Sequence, residues 1–110
     1  MKQYVIDQLR ESDYERIRDF LDSHAEKTVF DDIYWLEVPE DLYSTLQGEH
    51  TGCHPYYLAV SLDRRQVAFE WLVRSRQTMR CKCIGYATQK QRDFLIDFAD
   101  RMLEELGIKV

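Results

Sequence analysis

Proline, glycine and long apolar runs are all scarce in this sequence of 110 residues. It holds two prolines and four glycines, and no segment is dominated by a few residue types, so a disordered chain is not expected. The first ten residues lack the apolar run of a signal peptide, and no stretch approaches membrane-spanning length. We therefore expect no membrane association and a single folded domain over residues 1–110.

Cysteine is present in a small and odd number. Three cysteines cannot all pair within one chain, and a chain that is 45% hydrophobic can build a core without disulfides. Free thiols in a reducing compartment explain this count best. The sequence therefore predicts a cytoplasmic protein.

Acidic residues outnumber basic ones, for a net charge of −5, but the two signs are segregated along the chain. The segment 64–92 holds eight basic residues and one acidic residue, Glu70, whereas the rest holds seven basic and nineteen acidic residues. Such asymmetry can indicate an anion-binding or self-associating surface. It is also compatible with acidic helices that neutralise a basic sheet within one molecule.

A hydrophobic period of two in the second half of the chain predicts a β-hairpin. Leu58, Val60 and Leu62 alternate with less apolar residues, and the alternation resumes over 67–74 after a polar turn. Pairing Leu62 with Val67 places both apolar sets on one face. This hairpin is the centre of the predicted sheet.

A third strand is predicted over 79–87, where apolar and polar residues again alternate. It would complete an antiparallel meander. Matching its apolar face to that of the hairpin would place Cys81 beside Trp71 and Cys83 beside Phe69. The two cysteines would then point into the core.

The remaining segments predict helices and further strands, and together they define an α+β fold. Two capping-box patterns, Ser12 with Glu15 and Thr88 with Gln91, predict helix starts. Pro39, which is followed by two acidic residues, predicts a third. Segment 33–38 is rich in strand formers, and segment 4–9 is too short to assign. We expect a three-stranded antiparallel sheet, extended by one or two N-terminal strands where these segments join it, with about three helices packed on one face.

The most informative set of side chains is His50-x-x-Cys53 together with Cys81-x-Cys83. Thiolate and imidazole are the ligands of tetrahedral zinc, so a site with three cysteines and one histidine is chemically sound. In the predicted sheet, however, another strand would separate the two pairs, leaving about 10 Å between their backbones. Inward-facing cysteines also act as small hydrophobic residues. A zinc site and buried structural cysteines both remain open.

A cysteine nucleophile is an alternative use of the same residues. Cys53 lies in a predicted loop, and the nearby His50 and His54 could lower the pKa of its thiol. Neighbours in sequence need not meet in space, and no third residue that would orient such a pair can be identified. An ordinary loop thiol is the favoured interpretation of this pattern.

The face of the predicted sheet opposite the helices mixes basic and aromatic side chains. The candidate binding residues are Tyr57, Arg74, Arg80, Lys82 and Tyr86. Such a face can bind anions or a second copy of the chain. Nucleic acid is not expected, because the chain is acidic overall and lacks the aromatic motifs of RNA-recognition sheets.

Two resemblances accompany these patterns. The run Leu-Arg-Glu-Ser-Asp at 9–13 resembles the start of GNAT-type acyltransferases, but their pyrophosphate loop Q/R-x-x-G-x-G/A is missing, so no acetyl-CoA site is carried over. A larger part of the chain resembles a family of small bacterial proteins with no assigned function. The motifs that carry this second resemblance are Tyr34-Trp35, Gln47-x-x-His50-x-x-Cys53-x-Pro55, Glu70-x-Leu72-Val73-Arg74 and Cys81-x-Cys83-Ile84-x-Tyr86-Ala87-Thr88-x-x-Gln91-Arg92.

From the sequence, the favoured function is binding rather than catalysis. We expect a cytoplasmic homodimer that binds a partner protein or a small anion through its basic sheet face. The alternative is a zinc site or a thiol-dependent activity built on His50, Cys53, Cys81 and Cys83.

Overall fold

Seven strands and three α-helices make up the part of the chain, residues 2–110, that the computed structural model describes. The helices are α1 (Glu11–His24), α2 (Thr45–Glu49) and α3 (Gln89–Leu106). The strands are β1 (Gln3–Ile6), β2 (Glu26–Lys27), β3 (Ile33–Glu37), β4 (Tyr56–Leu62), β5 (Val67–Glu70), β6 (Leu72–Ser75) and β7 (Gly85–Tyr86). The predicted α+β class is confirmed, and three N-terminal strands join the sheet.

All strand pairs in the sheet are antiparallel, and β4 lies at its centre. Along one edge β4 pairs with β3, and β2 lies outside β3. Along the other edge β4 pairs with β5 near its end and with β6 at its start. Strand β1 pairs with the far side of β5, and β7 pairs with β6. The predicted pairing of Leu62 with Val67 is confirmed.

One hydrophobic core joins the sheet to the helices. Tyr56, Leu58, Val60 and Leu62 on β4 are buried and alternate with half-buried residues, as the period of two predicts. From the helices, the core receives Ile17, Phe20, Leu21, Leu95, Ala99, Met102 and Leu103. The predicted apolar stripe of α1 is therefore confirmed, except that His24 is exposed and stacks on Phe20 with a centroid distance of 3.9 Å.

The strand predicted over 67–74 is interrupted at Trp71. Its amide N–H donates to Lys2 (3.0 Å), and its carbonyl accepts from the amide of Ala87 (2.8 Å). Because Trp71 bonds away from β4, the register between β4 and β6 is offset by two residues from that between β4 and β5. As a result, Tyr56 at the start of β4 lies opposite Ser75 at the end of β6.

The third strand predicted over 79–87 is wrong. Only Gly85 and Tyr86 pair with β6, opposite Val73 and Leu72. Residues 76–84 instead form a loop, which we call the cysteine loop. Cys81 and Cys83 therefore do not lie beside Trp71 and Phe69.

Hydroxyl groups explain why the cysteine loop leaves the sheet. The Ser75 hydroxyl accepts the amide N–H groups of Gln77 and Thr78, at 3.0 and 3.3 Å. The Thr78 hydroxyl accepts from the amide of Arg80 at 3.3 Å. These side-chain bonds occupy amides that a strand would use for its ladder.

Of the two predicted capping boxes, one is confirmed and one is wrong, because α1 begins at Glu11 after Arg10 and Ser12 lies inside the helix. The capping box of Thr88 and Gln91 starts α3 as predicted, and Gly107 ends it in the left-handed region at φ +68°. The helix predicted from Pro39 is a short 3₁₀ turn, Glu40–Leu42, and α2 begins separately after Ser44. Within residues 2–110, none of the helices has both the length and the apolar character needed to cross a bilayer.

Candidate metal centre

The start of β4 and the end of β6 bring two distant chain segments together. Since Tyr56 lies opposite Ser75, the residues just before Tyr56 and just after Ser75 leave the sheet at the same end. The amide of Arg76 donates to the carbonyl of Pro55 at 3.2 Å, and the Ser75 hydroxyl donates to the carbonyl of Cys53. The cysteine loop is thereby joined to the segment that follows α2.

A single tight turn positions His50 and Cys53. The α-helix α2 ends at Glu49, and residues Thr51–Cys53 continue as one turn of 3₁₀ helix. The amide of Cys53 donates to the carbonyl of His50 at 2.9 Å. This turn places the two side chains three residues apart on the same side of the chain, as their spacing suggested.

A second turn positions Cys81 and Cys83. The amide of Ile84 donates to the carbonyl of Cys81 at 3.1 Å, which closes the chain around Lys82. Cys83 is buried and Cys81 is half-buried. Both thiols are thus presented from one short turn, although the sequence lacks a C-x-x-C motif.

The four side chains meet. One ligand atom from each of His50, Cys53, Cys81 and Cys83 lies within 4.8 Å of all the others. His50 Nδ1 and Cys81 Sγ lie 3.1 Å apart. Ligand atoms around tetrahedral zinc are about 3.5–3.8 Å apart, given bonds of about 2.0 Å to nitrogen and 2.3 Å to sulfur. The set therefore needs shifts of only about 1 Å to surround one ion.

The two ligand pairs are not separated by an intervening strand, so the predicted distance of about 10 Å between their backbones is wrong. The prediction placed Cys81 and Cys83 on a strand beyond β6. Because residues 76–84 form a loop that turns back over the end of the sheet, the thiols reach the segment after α2.

The three thiols occupy unequal environments. The amide N–H of Cys83, together with the Cys83 thiol and His50, holds the pKa of Cys81 below that of a free thiol. Burial, reinforced by the neighbouring Cys83 and Cys81 sulfurs, raises the pKa of Cys53. The protein by itself thus favours the thiolate form of Cys81 and disfavours that of Cys53.

A nucleophilic role for Cys53 finds little support in this geometry. His50 turns its Nδ1 toward Cys81. His54 directs its Nε2 at the carbonyl of Gln47, 2.6 Å away. A raised pKa further lowers the fraction of Cys53 present as thiolate, the reactive form.

The five candidate binding residues do not share one sheet face. Tyr57 and Arg74 lie opposite each other on β4 and β6, and Tyr86 on β7 lies opposite Leu72. Arg80 and Lys82 instead belong to the cysteine loop and are exposed.

Two basic residues, one on β6 and one at the start of the cysteine loop, already form ion pairs within the molecule. Arg74 pairs with Glu70 at 3.2 Å. Arg76 pairs with Glu26 at 2.6 Å and lies 4.2 Å above the ring of Trp35. Glu70 thus pairs with a residue four positions along the chain.

Sequence reasoning missed two buried glutamines behind the site. Gln47 and Gln91 are each the third helical residue of a capping box, in α2 and α3. A capping box is visible in sequence, but it does not reveal that both amides are buried and bonded to each other.

Comparison with known proteins yields no match: no family model, no curated protein and no solved structure is significantly similar to this chain. Both sequence resemblances therefore stay predictions. The chemistry of the site rests on the four side chains of His50, Cys53, Cys81 and Cys83 and on what surrounds them.

Proposed function

We propose that this chain is a zinc-binding protein whose metal centre is formed by His50, Cys53, Cys81 and Cys83. The observation that carries the proposal is the convergence of four ligand atoms, from two distant segments, within 4.8 Å of one another. Three cysteines and a histidine are an established structural zinc set.

The chemistry of the donors favours zinc over harder cations. Thiolate and imidazole suit zinc, whereas magnesium and calcium take oxygen ligands. No carboxylate belongs to the cluster in the described part of the chain. Maintaining three thiolate ligands also fits the reducing cytoplasm that the cysteine count predicts.

The site has the features of a structural centre rather than a catalytic one. Four protein ligands complete a tetrahedron, whereas catalytic zinc keeps a position open for water or substrate. Zinc bound here would cross-link the turn after α2 to the cysteine loop. This arrangement supports a stabilising role without catalysis.

Two basic residues offer charge compensation to such a centre. Zinc with three thiolates and a neutral imidazole carries a formal charge of −1, because three negative charges exceed the two positive ones. Arg80 and Lys82 flank Cys81 in sequence. Over residues 2–110, neither has an acidic side chain within 4.0 Å.

The direct test is the metal content of untagged protein purified without chelator. We expect about one zinc per chain by elemental mass spectrometry, and thiols that resist titration until a chelator is added. His50→Ala should remove the zinc, whereas His24→Ala should retain it, since His24 lies on α1 outside the cluster. Metal-free wild-type protein with a normal cooperative melt would overturn the proposal.

A second function, binding of an anion or a second copy of the chain, is favoured by the exposed charges of Arg80 and Lys82 on the cysteine loop, which form no salt bridge within residues 2–110. In this second function the zinc centre would hold the cysteine loop in place, and the loop would contact the anion or the second copy of the chain. The homodimer predicted from the sequence belongs to this second function.

A further inference from the structure

Gln47 is buried and makes contacts that exceed the needs of a helix cap. Its side-chain oxygen accepts the amide of Ser44 at 2.9 Å, which is the capping bond. The same oxygen accepts from Nε2 of Gln91 at 2.8 Å, and Nε2 of Gln47 points to the carbonyl of Cys83 at 3.5 Å. The last distance is long for a hydrogen bond, but it joins α2 directly to a ligand residue.

The backbone of Gln47 contacts the other side of the site. Its carbonyl accepts from the amide of His50 at 3.2 Å and from Nε2 of His54 at 2.6 Å. The Tyr56 hydroxyl donates to the same carbonyl at 3.4 Å. One residue therefore contacts both segments that supply ligands.

Gln91 extends this connection to α3. It is fully buried, and its side-chain oxygen accepts the amide of Thr88 at 2.9 Å. Its Nε2 donates to the carbonyl of Leu42 at 3.0 Å and to Gln47. Every buried side-chain N and O atom that the structure describes has a partner, so the pair is fully satisfied.

Capping alone does not account for this arrangement. A capping box needs only the glutamine oxygen and functions at an exposed helix start. Here both Nε2 groups are taken out of water and directed to other chain segments, which is costly unless the bonds formed there are retained.

We infer that Gln47 is the positioning residue of the metal centre and that its bond to Gln91 couples the start of α3 to the placement of Cys83. The inference rests on the proposed zinc site. Partners that orient metal ligands typically contribute about 10- to 100-fold to metal affinity.

The test compares zinc affinity across four proteins by competition with a chromophoric chelator. Gln47→Leu removes both the cap and the Cys83 contact. Gln47→Glu keeps an oxygen for Ser44 and Gln91 but cannot donate to Cys83 when ionised. Ser44→Ala is the matched control, because it weakens the same cap and leaves Gln47 in place.

We expect both Gln47 variants to lose about tenfold or more in zinc affinity, and Ser44→Ala to stay within about threefold of wild type. Cobalt(II) loaded in place of zinc reports the ligand geometry directly through its visible absorption. The cobalt bands should shift in Gln47→Glu and match wild type in Ser44→Ala. The shift of the cobalt bands does not follow from a loss of fold stability alone.

The outcomes separate the two proposals. If wild-type protein binds zinc and all variants bind it with equal affinity and unchanged cobalt spectra, the role of Gln47 is overturned and the zinc site stands. Wild-type protein that binds neither metal overturns the zinc site and the role of Gln47 together. If Gln47→Leu does not fold, the zinc affinity and the cobalt spectrum of Gln47→Glu decide between these outcomes.

Discussion

At the residue scale, two histidines four positions apart have different roles. His50 presents Nδ1 to Cys81 at 3.1 Å, whereas His54 uses Nε2 to contact the carbonyl of Gln47 and packs against the rings of Tyr43 and Tyr56. Both were candidates from the sequence. The turn between them, rather than the residue type, decides which one faces the thiols.

Another single residue, Asp13, makes stability depend on pH. Its buried carboxylate accepts the amide of Arg10 at 3.1 Å and the guanidinium of Arg16 at 3.0 Å. The Arg10 amide is the largest cause that lowers the pKa of Asp13 below its ordinary value. Because the folded pKa is lower than the unfolded one, the stabilisation is complete above about pH 5 and is lost as the pH falls through the folded pKa.

We therefore expect the free energy of unfolding of wild type to fall more steeply than that of Asp13→Asn when the pH drops from about 6 to 3. Urea titrations at each pH measure this. Asp19→Asn is the control, since Asp19 is exposed on the same helix. Zinc release in acid affects all three proteins, so the difference between them isolates Asp13. Parallel curves for wild type and Asp13→Asn would contradict the assignment.

At the scale of elements, the proposed zinc ion would hold the cysteine loop more than any other segment. It contributes no strand pairing between Ser75 and Gly85, and its internal bonds are those of the Ser75 and Thr78 hydroxyls and the Cys81 turn. The sheet beside it is held by the ladders that β4 forms with β3, β5 and β6. Removal of zinc should therefore release the loop before the sheet.

Trypsin can detect this release, because Arg80 and Lys82 are exposed cleavage sites within the loop. We expect chelation to accelerate cleavage there by about tenfold or more, and added zinc to reverse the effect. Arg64 and Arg65, in the exposed turn between β4 and β5, serve as the control within the same digest and should be cut at an unchanged rate.

Peptide mapping by mass spectrometry assigns the cleavage sites. Equal rates at Arg80 with and without chelator would mean that no metal holds the loop. A parallel increase at Arg64 and Arg65 would mean that chelation unfolds the whole chain rather than this element.

At the scale of the whole molecule, the segregated charges are only partly paired internally. Arg64 and Glu11 form an ion pair at 2.7 Å, and Arg76 and Glu26 another, both between the basic segment and the acidic remainder of the chain. Exposed pairs of this kind contribute little to stability.

If the charge left on the cysteine loop serves self-association, wild-type protein should have twice the 13.2 kDa chain mass by light scattering. The double variant Arg80→Glu with Lys82→Glu should then be monomeric even with zinc added in excess, because acidic side chains would replace the basic pair that makes the contact. The control is the double variant Arg64→Glu with Arg65→Glu, which changes the net charge by the same amount at the opposite end of β4. It should remain dimeric. The second function would be excluded if wild-type protein is monomeric and its NMR chemical shifts do not change when inorganic phosphate is added.

Sequence reasoning was most successful where one local pattern decides the structure. The alternation of Leu58, Val60 and Leu62 predicted β4, and the capping box of Thr88 predicted α3, because burial on one face and helix capping act over a few residues. All four candidate ligands were identified from residue type.

Their meeting could not be predicted, since it depends on two departures from a regular meander. The interruption at Trp71 shifts the register of β6, and the Ser75 and Thr78 hydroxyls turn a strand-like alternation into a loop. Alternating residues around Cys81 and Cys83 mimic a strand, and the bonds of the Ser75 and Thr78 hydroxyls replace the ladder that such a strand would form. The buried contact of Gln47 with Gln91 joins positions in separate helices and leaves no local pattern.

The separation of the ligands along the chain has a consequence for the order of folding. One pair precedes β4 and the other follows β6, so closure of the hairpin brings all four together. Either pair alone offers two ligands and would hold zinc weakly in the nascent chain. If the proposed zinc site is correct, tight zinc capture would follow strand pairing, and the metal-bound state would form only when the hairpin has closed in its correct register.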